Sequence, residues 1–126
     1  MSLAKLIKAW QIVHMPRLAS TMIRHRVAGA IEHLDALRFL APASVLDVGA
    51  NKGQFSAVVR ALFPDAIIHS FEPLPGARAR FEAVFAGDTR TILHPFAIGT
   101  ETKTATFYIA DRDDSSSLFE LGTGQT

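Results

Sequence analysis

Residues 44–53, Ser-Val-Leu-Asp-Val-Gly-Ala-Asn-Lys-Gly, constrain this chain more than any other stretch. Ser44 to Val48 is an apolar run too short for a helix and long enough for a buried strand, and Gly49 closes it. Phe55, Val58, Val59 and Leu62 then fall at i, i+3, i+4 and i+7, the stripe of an amphipathic helix that ends before Pro64. Ala66 to Phe71 reads as a second strand, with Glu72 directly after it. Strand, glycine turn, helix and strand are the units of a parallel sheet, and such sheets bind ligands beyond the carboxyl ends of their strands.

The pattern continues in kind. Ala77, Phe81, Val84 and Phe85 mark a second helix closed by Gly87-Asp88, and Thr91 to Leu93 opens a third strand before Pro95. Proline has no N–H to give to a ladder, so the strand stops near there. Lys103 to Ala110 alternates strictly, with Ala105, Phe107 and Ile109 on one side. That predicts a half-exposed strand, hairpin-paired with residues 96–99. The tail from Asp111 is polar and glycine-rich.

Ahead of the sheet, Leu3, Leu6, Ile7, Trp10 and Val13 repeat at helical spacing. A second helical stretch begins near Pro16, a residue tolerated in a first turn. Val27, Ala30, Ile31, Leu34 and Leu37 form a third stripe up to Ala41-Pro42. The chain therefore divides into a helical N-terminal extension, 1–41, and an α/β unit, 42–126. Residues 44–98 read as the first half of a doubly wound, Rossmann-like sheet with right-handed crossovers and helices on both faces.

Composition excludes several functions. At 126 residues the chain is one domain or a piece of one, and 48% hydrophobic residues suffice for a packed core. The absence of cysteine rules out disulfides, thiolate nucleophiles and cysteine-based metal sites. His25 and His33 lack companions at ligand spacing, so no metal is expected. No apolar run approaches the roughly 18–20 residues that span a bilayer. Lys5 and Lys8 also interrupt any signal-peptide core, so a cytoplasmic protein is expected. Residues 1–41 carry six cations against two acids, +4, within a chain of net charge +1. That surplus fits a solvated helix face; it also suits peripheral contact with an anionic membrane, whereas nucleic-acid binding is not expected.

The chemistry lies in the turn. Gly49 permits a sharp exit from the strand, Gly53 close approach of helix and cofactor, and the helix start adds a positive dipole end. A dinucleotide site needs Gly-x-Gly-x-x-Gly, but Asn51 stands where the middle glycine belongs, and no Gly-Lys-Ser/Thr follows. Asn tolerates the left-handed conformation better than most residues, so the turn still closes. Asp47 at the turn mouth repels a pyrophosphate and suits an ammonium group. Glu72 stands 19 residues past Gly53, where an acid accepts hydrogen bonds from ribose hydroxyls. S-adenosyl-L-methionine, an adenosine with a cationic amino-acid tail, satisfies both. The competing structural reading makes Asp47 a helix cap and Glu72 a surface acid before Pro73.

Asp47-Val48-Gly49-Ala50-Asn51-x-Gly53 is followed by Phe71-Glu72-Pro73-Leu74-Pro75, Ala97-Ile98-Gly99 and Asp114-Ser115-Ser116-Ser117-Leu118. In that order the motifs resemble the N-terminal half of an FkbM-type methyltransferase, over about residues 27–118. The resemblance implies a class I fold and S-adenosylmethionine-dependent methyl transfer to an oxygen of a sugar, glycan or natural-product acceptor. It implies that the turn, Asp47, Gly49, Ala50, Asn51 and Gly53, holds the methionine end. Glu72 then holds the ribose, and Ala97 lies near the adenine. Similar proteins continue with a further strand bearing Asp-x-Glu-Gly, so the likeness implies a fragment of a longer protein with a truncated sheet. It leaves β-strand 44–48 with an open edge unless the chain dimerises or is completed.

No catalytic base is nominated. His69 reads as a hydrogen-bonded core residue, His94 as a residue within reach of the site mouth, and Ser115–Ser117 as an ordered loop. The alternative functional class is a non-catalytic remnant or a module that docks on a partner or membrane through residues 1–41. An NAD-dependent oxidoreductase ranks third, on its glycine spacing.

Overall fold

Three parallel strands form one sheet in the order β1 (Ser44–Val48), β2 (Ile67–Phe71), β3 (Thr91–His94). The structure is a computed structural model that describes residues 34–108, together with Pro16, Ala19, Ser20 and Arg24, which are helical. The stripe at 3–13, the loop 114–118 and His14, His25 and His33 lie outside the described residues. A short helix α1 (Leu34–Leu37) precedes β1, α2 (Gln54–Leu62) links β1 to β2, and α3 (Pro75–Val84) links β2 to β3. Every strand and helix expected between residues 44 and 94 is present, with boundaries shifted by a residue or two. Among the described residues no helix is long and apolar enough to cross a membrane.

The register pairs Val45 with Ile68 and Asp47 with Ser70, then Ile68 with Thr91 and Ser70 with Leu93. Alternate residues of a strand point to opposite faces. These six therefore share one face, and all are buried or half-buried. Right-handed crossovers that step the same way put both linking helices on that face. The contacts agree. Ser56 of α2 reaches Asp47 and Ser70, Leu37 of α1 packs against Ala57 and Val58, and Phe81 and Phe85 lie over Gly53.

Helices on both faces were expected; the described helices cover only one. The second face carries Leu46 and Val48, which are 66% and 61% exposed, with Ile67 and Ile92. An order of 1-2-3 cannot cover it, because only crossovers stepping away from the other edge of β1 would place helices there.

The strand expected over 103–110 is a second departure. Residues 95–107 are irregular, and Tyr108 makes an isolated bridge; 109 and 110 lie outside the described residues. Alternation supplies a strand with faces but not with a partner. A lone two-stranded hairpin after Pro95 would have only itself to pack on, which is marginal in water. His69 is hydrogen-bonded as expected, its Nδ1 lying 3.1 Å from Nε2 of His94, but on the uncovered face and half-buried.

The end of the sheet where β2 and β3 begin is clamped by Arg60, in the last turn of α2. Its guanidinium donates to Asp88 Oδ2 at 2.7 Å, Thr91 Oγ1 at 2.9 Å, and the carbonyls of Pro64 and Ala66 at 2.9 and 2.7 Å. Thr91 passes its own proton to Asp88. Burial opposes ionisation of Asp88. Hydrogen bonds from the Thr91 hydroxyl, the Arg90 N–H and Arg60 outweigh it and hold the carboxyl below its ordinary 3.8. The stabilisation from this ionisation is therefore complete above pH 3.8 and lost as the pH falls toward the folded-state value. Arg60→Ala is expected to lose about 2–3 kcal/mol in urea unfolding, because it strands a partly buried carboxylate. The exposed Arg90→Ala should stay within about 1 kcal/mol of wild type.

Candidate functional site

The turn between β1 and α2 places three left-handed residues within five positions: Gly49 at φ 78°, Asn51 at 48° and Gly53 at 86°. The two glycines are required for different reasons. A side chain at Gly49 would meet nothing within 4 Å, so only its backbone angle excludes other residues. At Gly53 a Cβ would lie 2.6 Å from Phe85 and 3.0 Å from Phe81. Gly53 therefore lets α3 approach the start of α2.

Asp47 is turned away from the turn mouth. Its carboxylate accepts the Ser56 hydroxyl at 2.5 Å under the first turn of α2, where the Ser56 backbone N–H also favours the charge. Gly53, the residue before that helix, has no side chain to cap it, so a carboxylate from the neighbouring strand takes the role. The Ser56 proton goes to Asp47, which when ionised only accepts. Ser70, 2.9 Å away, must therefore donate to the Ser56 oxygen. Burial pushes the Asp47 carboxyl above its ordinary 3.8, against the pull of those Ser56 hydrogen bonds, and the Glu72 charge adds to the rise.

The amides of the turn are engaged internally. Gly49 N–H and Ala50 N–H both donate to the Phe71 carbonyl at 3.0 Å, Asn51 N–H to Glu72 Oε2 at 2.9 Å, and Gly53 N–H to the Ala50 carbonyl at 2.8 Å. A phosphate cradle needs such groups pointing outward. Here the first three face Phe71 and Glu72, and that of Gly53 faces the turn itself.

Beyond the ends of β1 and β2 lies a cavity of about 290 Å³. Gly49, Asn51 and Glu72 form its polar side; Phe71, Pro73 and Leu74 form one apolar wall and Ala97, Ile98 and Phe107 another. Of the residues expected in the site, Gly49, Asn51, Glu72 and Ala97 meet at this cavity. Asp47, Ala50 and Gly53 support the turn from behind it. Glu72 is not a surface acid: it is 6% exposed, with Oε1 accepting the Leu74 N–H at 2.8 Å and Oε2 that of Asn51. Each oxygen keeps a lone pair, because an ionised carboxylate accepts about four hydrogen bonds.

His94 does not line the cavity. It stacks on Phe71 with ring centroids 4.5 Å apart and contacts His69 on the uncovered face. Among the described residues no group of three side chains is placed to ligate a metal. The apolar walls had no sequence signal of their own. Phe107 arrives through an irregular segment, and Leu74 differs in nothing but position from other leucines.

The chain matches no protein-family model and no curated protein.

Gly53→Ala should cost about 2–4 kcal/mol in urea unfolding, combining a left-handed alanine with a clash against two rings. Gly49→Ala should cost only about 1–2 kcal/mol, from the backbone alone. The raised Asp47 value makes the folded state bind that proton more tightly, so the group's contribution worsens as the pH climbs from 3.8 through the folded-state value. The stability of wild type relative to Asp47→Asn should accordingly fall with rising pH over that window, as read by urea midpoints across a pH series.

Proposed function

We propose that this chain holds the methyl-donor site of an S-adenosyl-L-methionine-dependent methyltransferase of FkbM type, acting on a hydroxyl of a sugar or natural product. The observation that carries the reading is the charge arrangement at the cavity. The Asp47 carboxylate lies under the start of α2, and the amides of Gly49, Ala50, Asn51 and Gly53 are engaged internally, so the turn is poorly suited to a pyrophosphate. Glu72 meanwhile offers one free lone pair on each oxygen, which suits the adjacent hydroxyls of a ribose. A nucleoside without phosphate fits these terms better than a dinucleotide. The cavity volume, near the low end of the roughly 300–1,000 Å³ range of small-molecule sites, also favours it.

In this reading Glu72 holds the ribose, Gly49 and Asn51 line the methionine side, and Ala97, Ile98 and Phe107 flank the base. When bound, S-adenosylmethionine would supply an electrophilic methyl group on a sulfonium to an acceptor hydroxyl, with S-adenosylhomocysteine as the leaving group and the hydroxyl proton released to water. The protein's part is to fix the donor so that the acceptor meets it in line. No side chain among the described residues is assigned as the base.

Isothermal titration of the folded protein with S-adenosylhomocysteine should give a binding signal, and NAD none. A signal from NAD alone overturns the proposal. Ala97→Trp, which fills the cavity from an exposed position, should weaken S-adenosylhomocysteine at least tenfold with an unchanged urea midpoint. A second reading, a non-catalytic docking module, is favoured by the uncovered face with Leu46 and Val48. It requires a folded protein that takes up neither ligand, so the same titration separates the two.

A further inference from the structure

Glu72 joins two turns at the polar side of the cavity. Asn51 belongs to the turn after β1, and Leu74 to the turn between β2 and α3; their N–H groups occupy opposite oxygens of one carboxylate, at 2.9 and 2.8 Å. The two oxygens are rigidly linked. A displacement of one turn is therefore passed to the other through a single planar group. The Glu72 backbone is held to the end of β3, its N–H donating to the His94 carbonyl at 3.1 Å. Asn51 holds a left-handed φ of 48°, a conformation that Asn tolerates, and its N–H is tied to Glu72 in that turn.

We infer that Glu72 is a positioning residue, a charged strut that sets the spacing of the Asn51 and Leu74 turns before any ligand arrives. Contact with a ribose is then its second use, made through the lone pairs left over. The strut stands on ligand-free geometry; its effect on affinity rests on the methyl-donor reading above. Charge is essential to it. Glu72→Gln keeps the size and one accepting oxygen but turns an NH₂ group toward the other amide, setting donor against donor.

In wild-type protein labelled for NMR, couplings across the hydrogen bonds should link the Asn51 and Leu74 amide nitrogens to the Glu72 carboxyl carbon. Absence of both couplings overturns the strut and does not depend on any variant folding. In Glu72→Gln, amide exchange at Asn51 and Leu74 should quicken at least tenfold, while Ile68 and Ser70 within β2 keep their wild-type rates. Unchanged exchange at Asn51 and Leu74 overturns it.

Affinity separates strut from simple contact. Titrations compare S-adenosylhomocysteine with its analogue lacking both ribose hydroxyls. A positioning role predicts that Glu72→Gln weakens both ligands, by a factor of at least five for the analogue. Loss confined to the hydroxyl-bearing ligand overturns the positioning role and leaves Glu72 a ribose contact. Wild-type protein that binds neither ligand overturns the methyl-donor reading, while the couplings and exchange rates still decide the strut.

Discussion

The rest of the structure depends on the carboxylate of Asp47 lying beneath the first turn of α2. A charge removed from water there is unfavourable, and burial accordingly raises its affinity for a proton. Three features offset that: the positive end of the helix, the Ser56 hydroxyl and backbone N–H, and a second hydroxyl from Ser70 that satisfies Ser56 in turn. The chain of oxygens crosses from β1 through α2 to β2. It fixes where the helix starts over the sheet, and so fixes the path of residues 49–53 leading into it.

That path decides the character of the cavity. A turn with its amides directed outward makes an anion site; this one directs them at Phe71 and Glu72. The result is a rim whose polarity comes from a carboxylate rather than from N–H groups. Gly49, Asn51 and Glu72 line the cavity together with the apolar side chains of Val48, Phe71, Leu74, Ile98 and Phe107.

Much of this was legible in the sequence, because the elements between 44 and 94 are written in periodicity and punctuated by Gly49, Pro64, Gly87 and Pro95. The left-handed turn was legible from Gly49, Asn51 and Gly53. The competing reading of Asp47 as a cap on the following helix matches its bond from Ser56, nine positions on, whereas the Ser70 hydroxyl behind Ser56, 23 positions from Asp47, was not singled out. A signal did exist: Ser56 and Ser70 are small polar residues at positions whose neighbours in pattern, Val59 and Ile68, are fully buried. Two hydroxyls in a core imply a charge that needs them. Gly53 was assigned to cofactor approach, whereas the rings of Phe81 and Phe85 occupy that side. Spacing identifies a required glycine but not the atom it makes room for. The irregular path over 103–107, where a strand was expected, has the same origin, since alternation is local and pairing is not.

Arg60 binds the loop before β2 and the start of β3, at the opposite end of the strands from Glu72. The Arg60 clamp and the cavity therefore occupy opposite ends of one small sheet. Groups with no shared partners contribute independently to stability. A destabilising change at the exposed rim positions 97 and 98 can consequently be compensated at the Arg60 end without reshaping the cavity.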